Sequence, residues 1–316
     1  MHYIGVDLGG TNIKVGLVDA EGKIIHKDSV PTLREREYDE IVRDIGMLIL
    51  KVIKEAGLEQ KDVESIGFAA PGIANDKDGT WVYSNNLKFI NVPVKKELEK
   101  YINKPIYLEN DANAAGLAEC VAGAAKGVQN SVTVTLGTGV GSGVVINGRV
   151  YSGFNGAAAE LGHMIIAMDG EQCTCGRKGC FEAYGSATAL ISQARKAAKA
   201  NPESKLNSIV NGDLEQIEAK TVFDAAQMGD TVAADVVEKY ISYLAEGLTN
   251  IINIFQPEIL CIGGGVCKQG ENLLRPLREK VFSRAYASGL VPACKIKLAE
   301  LGNDAGIIGA AMLGKK

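Results

Sequence analysis

The sequence has no run of lysine and arginine. Its 316 residues carry 34 basic and 38 acidic side chains, a formal net charge of −4. Binding a nucleic-acid backbone takes clustered basic residues, so no nucleic-acid partner is expected. No apolar run approaches the 18 residues of a membrane span. No basic segment precedes an apolar stretch in MHYIGVDLGG, which already has the pattern of folded structure, so no export signal is expected. No low-complexity tract or linker is visible. Histidine is scarce, with three residues, and the seven cysteines are an odd number. Three of those cysteines, Cys173, Cys175 and Cys180, crowd together. Without an export signal, that pattern favours a reduced, cytoplasmic compartment and a metal site over a disulfide framework.

What is present is ordinary for a soluble globular protein: 46 % hydrophobic and 23 % charged residues. The length suggests two domains with cores that need no disulfides. Residues 3–8 read as a strand running into Gly9–Gly10–Thr11, and 13–18 as a second strand. After the Asp19–Gly22 turn comes a third strand near 23–28. Ile41, Ile45, Leu48, Ile49, Val52, Ile53 and Ala56 recur at helical spacing, and Gly57 follows as a stop. A strand at 64–70, a polar loop at 75–92, a short helix at 94–103, a strand at 105–109 and a helix from about 112 follow. The pattern restarts near 131 with strand, glycine turn, strand and an Asn147–Gly148 hairpin. Helices are expected near 186–200, 221–228, 231–255, 271–286 and 304–314, with strands at 258–262 and 294–298. Strands alternate with helices, so the class is α/β. The repeated strand–turn–strand suggests two related halves packed around a cleft.

Three glycine turns follow strands: Gly9–Gly10–Thr11, Gly137–Thr138–Gly139 and Gly263–Gly264–Gly265. Without a Cβ, backbone N–H groups can approach an anion, and threonine adds a hydroxyl donor. Any one of them can be a simple turn. Three together point to phosphate, and Asp7, just ahead of the first, can hold Mg²⁺ through water. There is no G-x-x-x-x-G-K-[ST], and the first turn opens a strand, not the helix of a dinucleotide fold. Glu109–Asn110–Asp111 lies where a strand meets a helix. Asp111 is placed to cap Ala112–Asn113–Ala114. It can equally serve as the general base that phosphoryl transfer to a hydroxyl requires, with Asn110 orienting neighbouring hydroxyls.

Glu160–Leu161–Gly162–His163 precedes Cys173, Cys175 and Cys180, and Glu182 follows. One imidazole and three thiolates make a closed tetrahedral zinc site. With four protein ligands the metal is structural, and the second nitrogen of His163 can still donate to a ligand. A redox dithiol is the weaker alternative, because there is no C-x-x-C. His2 and His26 have no comparable context, and Cys120, Cys261, Cys267 and Cys294 read as ordinary small or buried side chains.

The strand–turn–strand phosphate element, used twice, resembles the sugar kinase/actin/Hsp70 superfamily. ELGH followed by CTCGRKGC and FE resembles the signature of the ROK family (repressors, open reading frames and kinases), and IGVDLGGTNIK, LENDAN and TLGTGVGSGV resemble its phosphate and catalytic motifs in the expected order. The resemblance spans essentially the whole chain and is closest to bacterial ROK glucokinases. It implies a two-lobed actin-like ATPase (ribonuclease-H-like) fold. A small domain of 1–112 plus about 300–316 would pair with a large domain of 113–299 carrying the zinc motif, and the last helix would cross back to the first lobe.

The implied activity is transfer of phosphate from ATP to the C6 hydroxyl of a hexose, glucose first. Asp111 would be the base. Asn86, Asn110, Asp111, Glu160, His163 and Glu182 would bind sugar. Asp7, Gly9, Gly10, Thr11, Asn12, Lys14, Thr138, Gly139, Gly264 and Gly265 would surround ATP and Mg²⁺. His163, Cys173, Cys175 and Cys180 would hold Zn²⁺. A homodimer or homotetramer is implied as well. Asn85–Asn86–Leu87–Lys88–Phe89 departs from the P-N-L-x-x-W of many relatives. N-acetylglucosamine, N-acetylmannosamine, mannose, allose and fructose are alternative substrates of such kinases. Sugar-sensing ROK repressors resemble the same chain behind a helix-turn-helix domain, for which a first strand at Tyr3 leaves no room. An actin-like chaperone or filament has no use for a His–Cys₃ cluster beside Glu160 and Glu182.

Overall fold

A computed structural model describes residues 1–315. Two five-stranded sheets share one strand order. In the first, β1 (His2–Leu8), β2 (Asn12–Asp19), β3 (Ile24–Pro31), β4 (Val63–Ala70) and β8 (Ile106–Asn110) run in the order β3-β2-β1-β4-β8. The β1–β2 and β2–β3 pairs are antiparallel, and the β1–β4 and β4–β8 pairs are parallel. In the second sheet, β9 (Ser131–Leu136), β10 (Val140–Ile146), β11 (Arg149–Val150), β12 (Ile259–Gly263) and β13 (Lys295–Leu298) run as β11-β10-β9-β12-β13. Substituting element for element gives the same order, so the repeat visible in the sequence is a repeat of topology. Asn147 (φ 52°) and Gly148 (φ 72°) make the β10–β11 hairpin with two positive φ values, as a primed turn requires.

The chain divides into two compact units. The first comprises Met1–Thr133, Gly143–Ala159 and the chain from Ala299 onward. Its core sits between the first sheet and α1 (Tyr38–Glu55). Ile41, Ile45, Leu48, Ile49, Val52 and Ile53 face Ile4, Val6, Val15 and Phe68. The segment expected as a polar loop at 75–92 instead belongs to a three-stranded sheet of β5 (Ile73–Asn75), β6 (Thr80–Ser84) and β7 (Phe89–Val92). Its strands are too short to show alternation, and tertiary packing builds them. Trp81 is fully buried edge-on to Phe68, with ring centroids 5.4 Å apart, and its indole N–H donates to Pro71 O. The helix expected at 94–103 shortens to α2 (Val94–Leu98).

α3 (Asp111–Ala122) and α10 (Ala305–Met312) lie together on the first sheet. The chain of 113–133 and 143–159 therefore clusters with the first unit, not with the large domain expected from 113 onward. Glycines explain how close the helices come. A Cβ on Gly5 would lie 1.9 Å from Ile307 O, one on Gly67 1.7 Å from Ala310 O, and one on Gly309 1.7 Å from Ala114 O. Backbone touches backbone at these points, so no rotamer change can make room. Gly67→Ala is expected to destabilise the protein by about 1–3 kcal/mol or more, through overpacking. A thermal midpoint equal to wild type would show that α10 can shift to accommodate the methyl. The buried carboxylate of Glu119 ties the same elements. It accepts from the N–H of Ala124 at 2.9 Å, Glu300 at 3.0 Å and Leu301 at 2.9 Å, joining the end of α3 to the chain entering α10.

The second unit comprises Val134–Ser142 and Glu160–Leu298. Its helices are α4 (Glu182–Gly185), α5 (Ala187–Ala200), α6 (Lys205–Ile209), α7 (Ala219–Gln227), α8 (Thr231–Phe255) and α9 (Glu271–Phe282). α8 matches its expected span of 231–255, α9 ends four residues earlier than expected, and α6 was not anticipated. Asp230 caps α8, accepting from Ala233 N at 2.7 Å. Burial works to raise the Asp230 carboxyl, but donors from the backbone of Ala233 and Lys205 and from Ser204 outweigh it, and its pKa is lowered.

Candidate active site and metal centre

In the first unit, the β1–β2 turn carries the first phosphate motif. Gly9 N–H donates to Asn12 O at 2.9 Å and closes the turn. Among the described residues, no partner occupies the N–H groups of Gly10 and Thr11. Asp7 accepts from Lys14 Nζ at 3.0 Å across the antiparallel pair, where the two residues face each other in register. Gly306 backs that carboxylate: a Cβ there would lie 2.7 Å from Asp7 Cγ. Asn86 sits exposed between β6 and β7.

At the β8–α3 junction the cap differs from the one expected. Asn110 takes the cap position with extended φ −62° and ψ 146°, and its Oδ1 accepts from Ala112 N at 2.8 Å and Asn113 N at 3.3 Å. Its Nδ2 donates to Gly72 O at 3.1 Å, which leaves a second amide hydrogen for a ligand. Asp111 is thus the first residue of the helix, and its Oδ1 also accepts from Ala112 N at 2.9 Å. Chain direction decides this: Asn110 is the last residue of β8, and the extended ψ of that strand suits a cap. A helix N-terminus favours negative charge at Asp111. Glu109, which sequence reasoning passed over, holds the junction. It accepts from Asn113 Nδ2 at 3.0 Å and from the Ser152 hydroxyl at 2.5 Å.

In the second unit, His163, Cys173, Cys175 and Cys180 bring one ligand atom each within 4.8 Å of one another. Cys173 Sγ lies 3.7 Å from His163 Nδ1, and Cys175 Sγ lies 3.6 Å from Cys180 Sγ. Four donors around a tetrahedral Zn²⁺, with Zn–S of about 2.3 Å and Zn–N of about 2.0–2.1 Å, stand about 3.6–3.8 Å apart. The donor set and its spacing therefore fit zinc, with Nδ1 as the histidine ligand and Nε2 turned to other uses. Gly176 (φ 92°) and Gly179 (φ 81°) supply the left-handed turns that fold the thiols inward. All seven cysteines are free. Burial and the neighbouring thiols push Cys180 up to about 12, whereas the backbone N–H of Arg177 is the main influence lowering exposed Cys175. A buried thiol of that kind becomes a thiolate ligand when a divalent cation stands beside it.

Glu182 connects the metal loop to the second glycine turn. Its Oε2 accepts from Val140 N at 3.0 Å, and its Oε1 accepts from the Thr174 hydroxyl at 3.2 Å, 3.6 Å from Cys173 Sγ. A Cβ on Gly139 would meet Glu182 Oε2 at 2.3 Å, so a side chain there would displace the carboxylate from this position. Phe181 anchors the segment. It is fully buried against Gly185 and Gly247, where an added Cβ would lie 2.6 Å and 2.5 Å from its ring. Gly264 (φ 105°) lies under β9, with its Cβ position 2.1 Å from Leu136 O. Thr138 and Glu160 are exposed, and Gly139 and His163 are half-buried.

The duplicated strand order, with a glycine turn after the first strand of each sheet, defines an actin-like ATPase fold. Residues 3–316 match the ROK family model, and the chain belongs to the ROK family. It is 40 % identical to a glucokinase of Thermotoga maritima over all of this chain and 98 % of that protein. It is similar to the crystal structure of a ROK family glucokinase from Streptomyces griseus in complex with glucose and AMPPNP, with 35 % identity, TM-score 0.79 and 99 % of each chain covered. A xylose repressor of Caldicellulosiruptor bescii is 31 % identical over 97 % of this chain and 76 % of its own length.

Proposed function

We propose that this protein is an ATP-dependent hexokinase whose substrate is glucose. The full-length similarity to glucokinases supports the reaction and the sugar. The observation that carries the mechanism is the division of labour at the β8–α3 junction. Asn110 caps the helix, so Asp111 is not needed to close it. Its carboxylate accepts the C6 hydroxyl proton while the O6–P bond forms and the bond from the terminal phosphorus to the bridging oxygen breaks. ADP leaves with that electron pair. Asn86, Asn110, Glu160, His163 and Glu182 bind ring hydroxyls. Asn110 does so through its second amide hydrogen and His163 through Nε2.

Gly9, Gly10, Thr11, Asn12 and Lys14 receive the phosphate end of ATP, and Thr138, Gly139, Gly264 and Gly265 the rest of the nucleotide. Asp7, which shares its Oδ2 with Lys14, is the carboxylate that would hold Mg²⁺. Zn²⁺ would be held by His163, Cys173, Cys175 and Cys180, fixing the imidazole and the Cys173–Glu182 loop. No described helix is long and apolar enough to cross a membrane. A cytoplasmic location, supported by the need to keep three thiols reduced, and a homodimer or homotetramer complete the reading.

ADP release measured across glucose, mannose, fructose, allose, N-acetylglucosamine and N-acetylmannosamine tests it. Glucose should show the highest kcat/KM. A higher value for another sugar would reassign the substrate, and no turnover with any would remove the kinase. The similarity to xylose repressors favours a second reading, a sugar sensor on DNA. Sequence-specific DNA binding at physiological salt without hexose turnover would put it in first place.

A further inference from the structure

The turn between β3 and α1 is built against the first phosphate motif. Thr32 N–H donates to Thr11 O at 2.8 Å, and the Thr32 hydroxyl donates to Gly9 O at 2.7 Å. Arg36 locks the other end. Its Nη2 donates to Thr32 O at 3.0 Å and its Nη1 pairs with Asp44 at 2.8 Å. Between these anchors Leu33 is held at φ 48°, a conformation that a leucine rarely adopts. The result is to aim Arg34 over the glycine turn: a Cβ on Gly10 would lie 3.7 Å from Arg34 Nη1.

The guanidinium is half exposed, and its one ion pair is through Nε, 3.6 Å from the neighbouring Glu35. Lys88 takes up most of that acid: its ammonium is hydrogen-bonded to Glu35 and lowers the Glu35 carboxyl. Among the described residues, neither Nη group of Arg34 makes a hydrogen bond. The other cation at this turn, Lys14, is paired with Asp7. The charge left for an incoming anion is therefore that of Arg34, with its donor fork against Gly10 of the turn.

We propose that Arg34 is a further phosphate-binding residue, which meets the terminal phosphoryl group of a nucleoside triphosphate at the Gly9–Thr11 turn. This rests on the kinase reading above. The strained Leu33 and the Thr32 and Arg36 anchors hold the backbone of Arg34 beside the turn before the nucleotide arrives, which reduces the conformational freedom lost on binding.

Wild type and Arg34→Gln are compared by calorimetric titration with Mg²⁺–AMPPNP and Mg²⁺–ADP, and by turnover of glucose with ATP. Loss of a charge-assisted hydrogen bond predicts an AMPPNP affinity lower by about tenfold or more, and a matching loss of kcat/KM for ATP. ADP affinity stays the same, because ADP lacks the group that Arg34 meets. Arg34→Lys restores part of the loss, since it keeps the charge without the fork. Equal AMPPNP affinity in wild type and Arg34→Gln overturns the proposal, and so does a loss shared equally with ADP. A wild type that binds AMPPNP but phosphorylates no hexose sinks the kinase reading, while the affinity comparison still decides Arg34.

Discussion

Asp111→Asn is expected to fold as wild type does and to lose about 10²–10⁴ in kcat, the usual cost of removing a positioned general base. The substitution keeps the shape of the side chain and its capacity to accept at one oxygen. It takes away the proton-accepting charge. The structure makes this experiment sharper than the sequence did, because Asn and Asp cap equally well and a capping Asp111 would predict no effect. The cap belongs to Asn110, which accepts from the backbone of Ala112 and Asn113 and reaches back to Gly72.

The companion variant is therefore Asn110→Ala, which should cost about 0.5–2 kcal/mol of stability through the lost cap. Asn110→Ala should lower the thermal midpoint and, because Asn110 also binds a ring hydroxyl, weaken sugar binding, whereas Asp111→Asn should lose turnover with its thermal midpoint unchanged. Sugar and nucleotide affinities of Asp111→Asn, read by calorimetry, should stay near wild type. A kcat near that of wild type would sink the mechanism.

Removing the metal should have the other large effect. Cys175→Ala is expected to bring zinc from one atom per chain to a small fraction, and to cost stability and activity together, because binding a structural metal is part of the folding free energy of its loop. Cys175 is the informative choice among the thiols. It is exposed, so truncating it leaves no cavity, whereas Cys180 is fully buried and its loss would mix packing with metal binding. Activity should fall because the metal loop and Glu182 are continuous. Thr174 donates to the same carboxylate that accepts from Val140 in the second glycine turn. Chelation of wild type should reproduce the variant. A metal-free preparation with an unchanged thermal midpoint and full turnover would remove zinc from the account.

Much of the site was legible because it is local. The three glycine turns, the aspartate ahead of the first, and the His–Cys₃ donor set lie within short stretches whose chemistry depends on residue type and spacing. The periodicity that placed the α1 core and α8 is local as well. Expectations failed where a local rule met a competitor. Asp111 satisfied the cap preference by residue type, but the extended ψ of the preceding residue gave the position to Asn110. The stretch 75–92 read as loop because β5, β6 and β7 hold five residues or fewer, too few for alternation to rise above noise, and burial of Trp81 against Phe68 organises them. A single boundary near 112 is a local reading, whereas the packing of α3 on α10 joins positions far apart in the chain.

The sequence by itself determined most of the order of strands and helices, the duplicated strand–turn–strand, and which residues are the candidates for phosphate turns and for the four metal donors. Each of these follows from side-chain type and from the period at which types recur. Only the tertiary structure decided the rest. It set α10 down on Gly5 and Gly67, it gave Glu182 both the Val140 N–H and the Thr174 hydroxyl, and it drew Arg34 over Gly10 by way of Thr32. These contacts join groups whose separation in the chain runs from 8 residues, for Thr174 and Glu182, to hundreds, for Gly5 and α10. Their geometry is set by how closely backbones can approach where a glycine lacks a Cβ, a distance that exists only once the chain has folded.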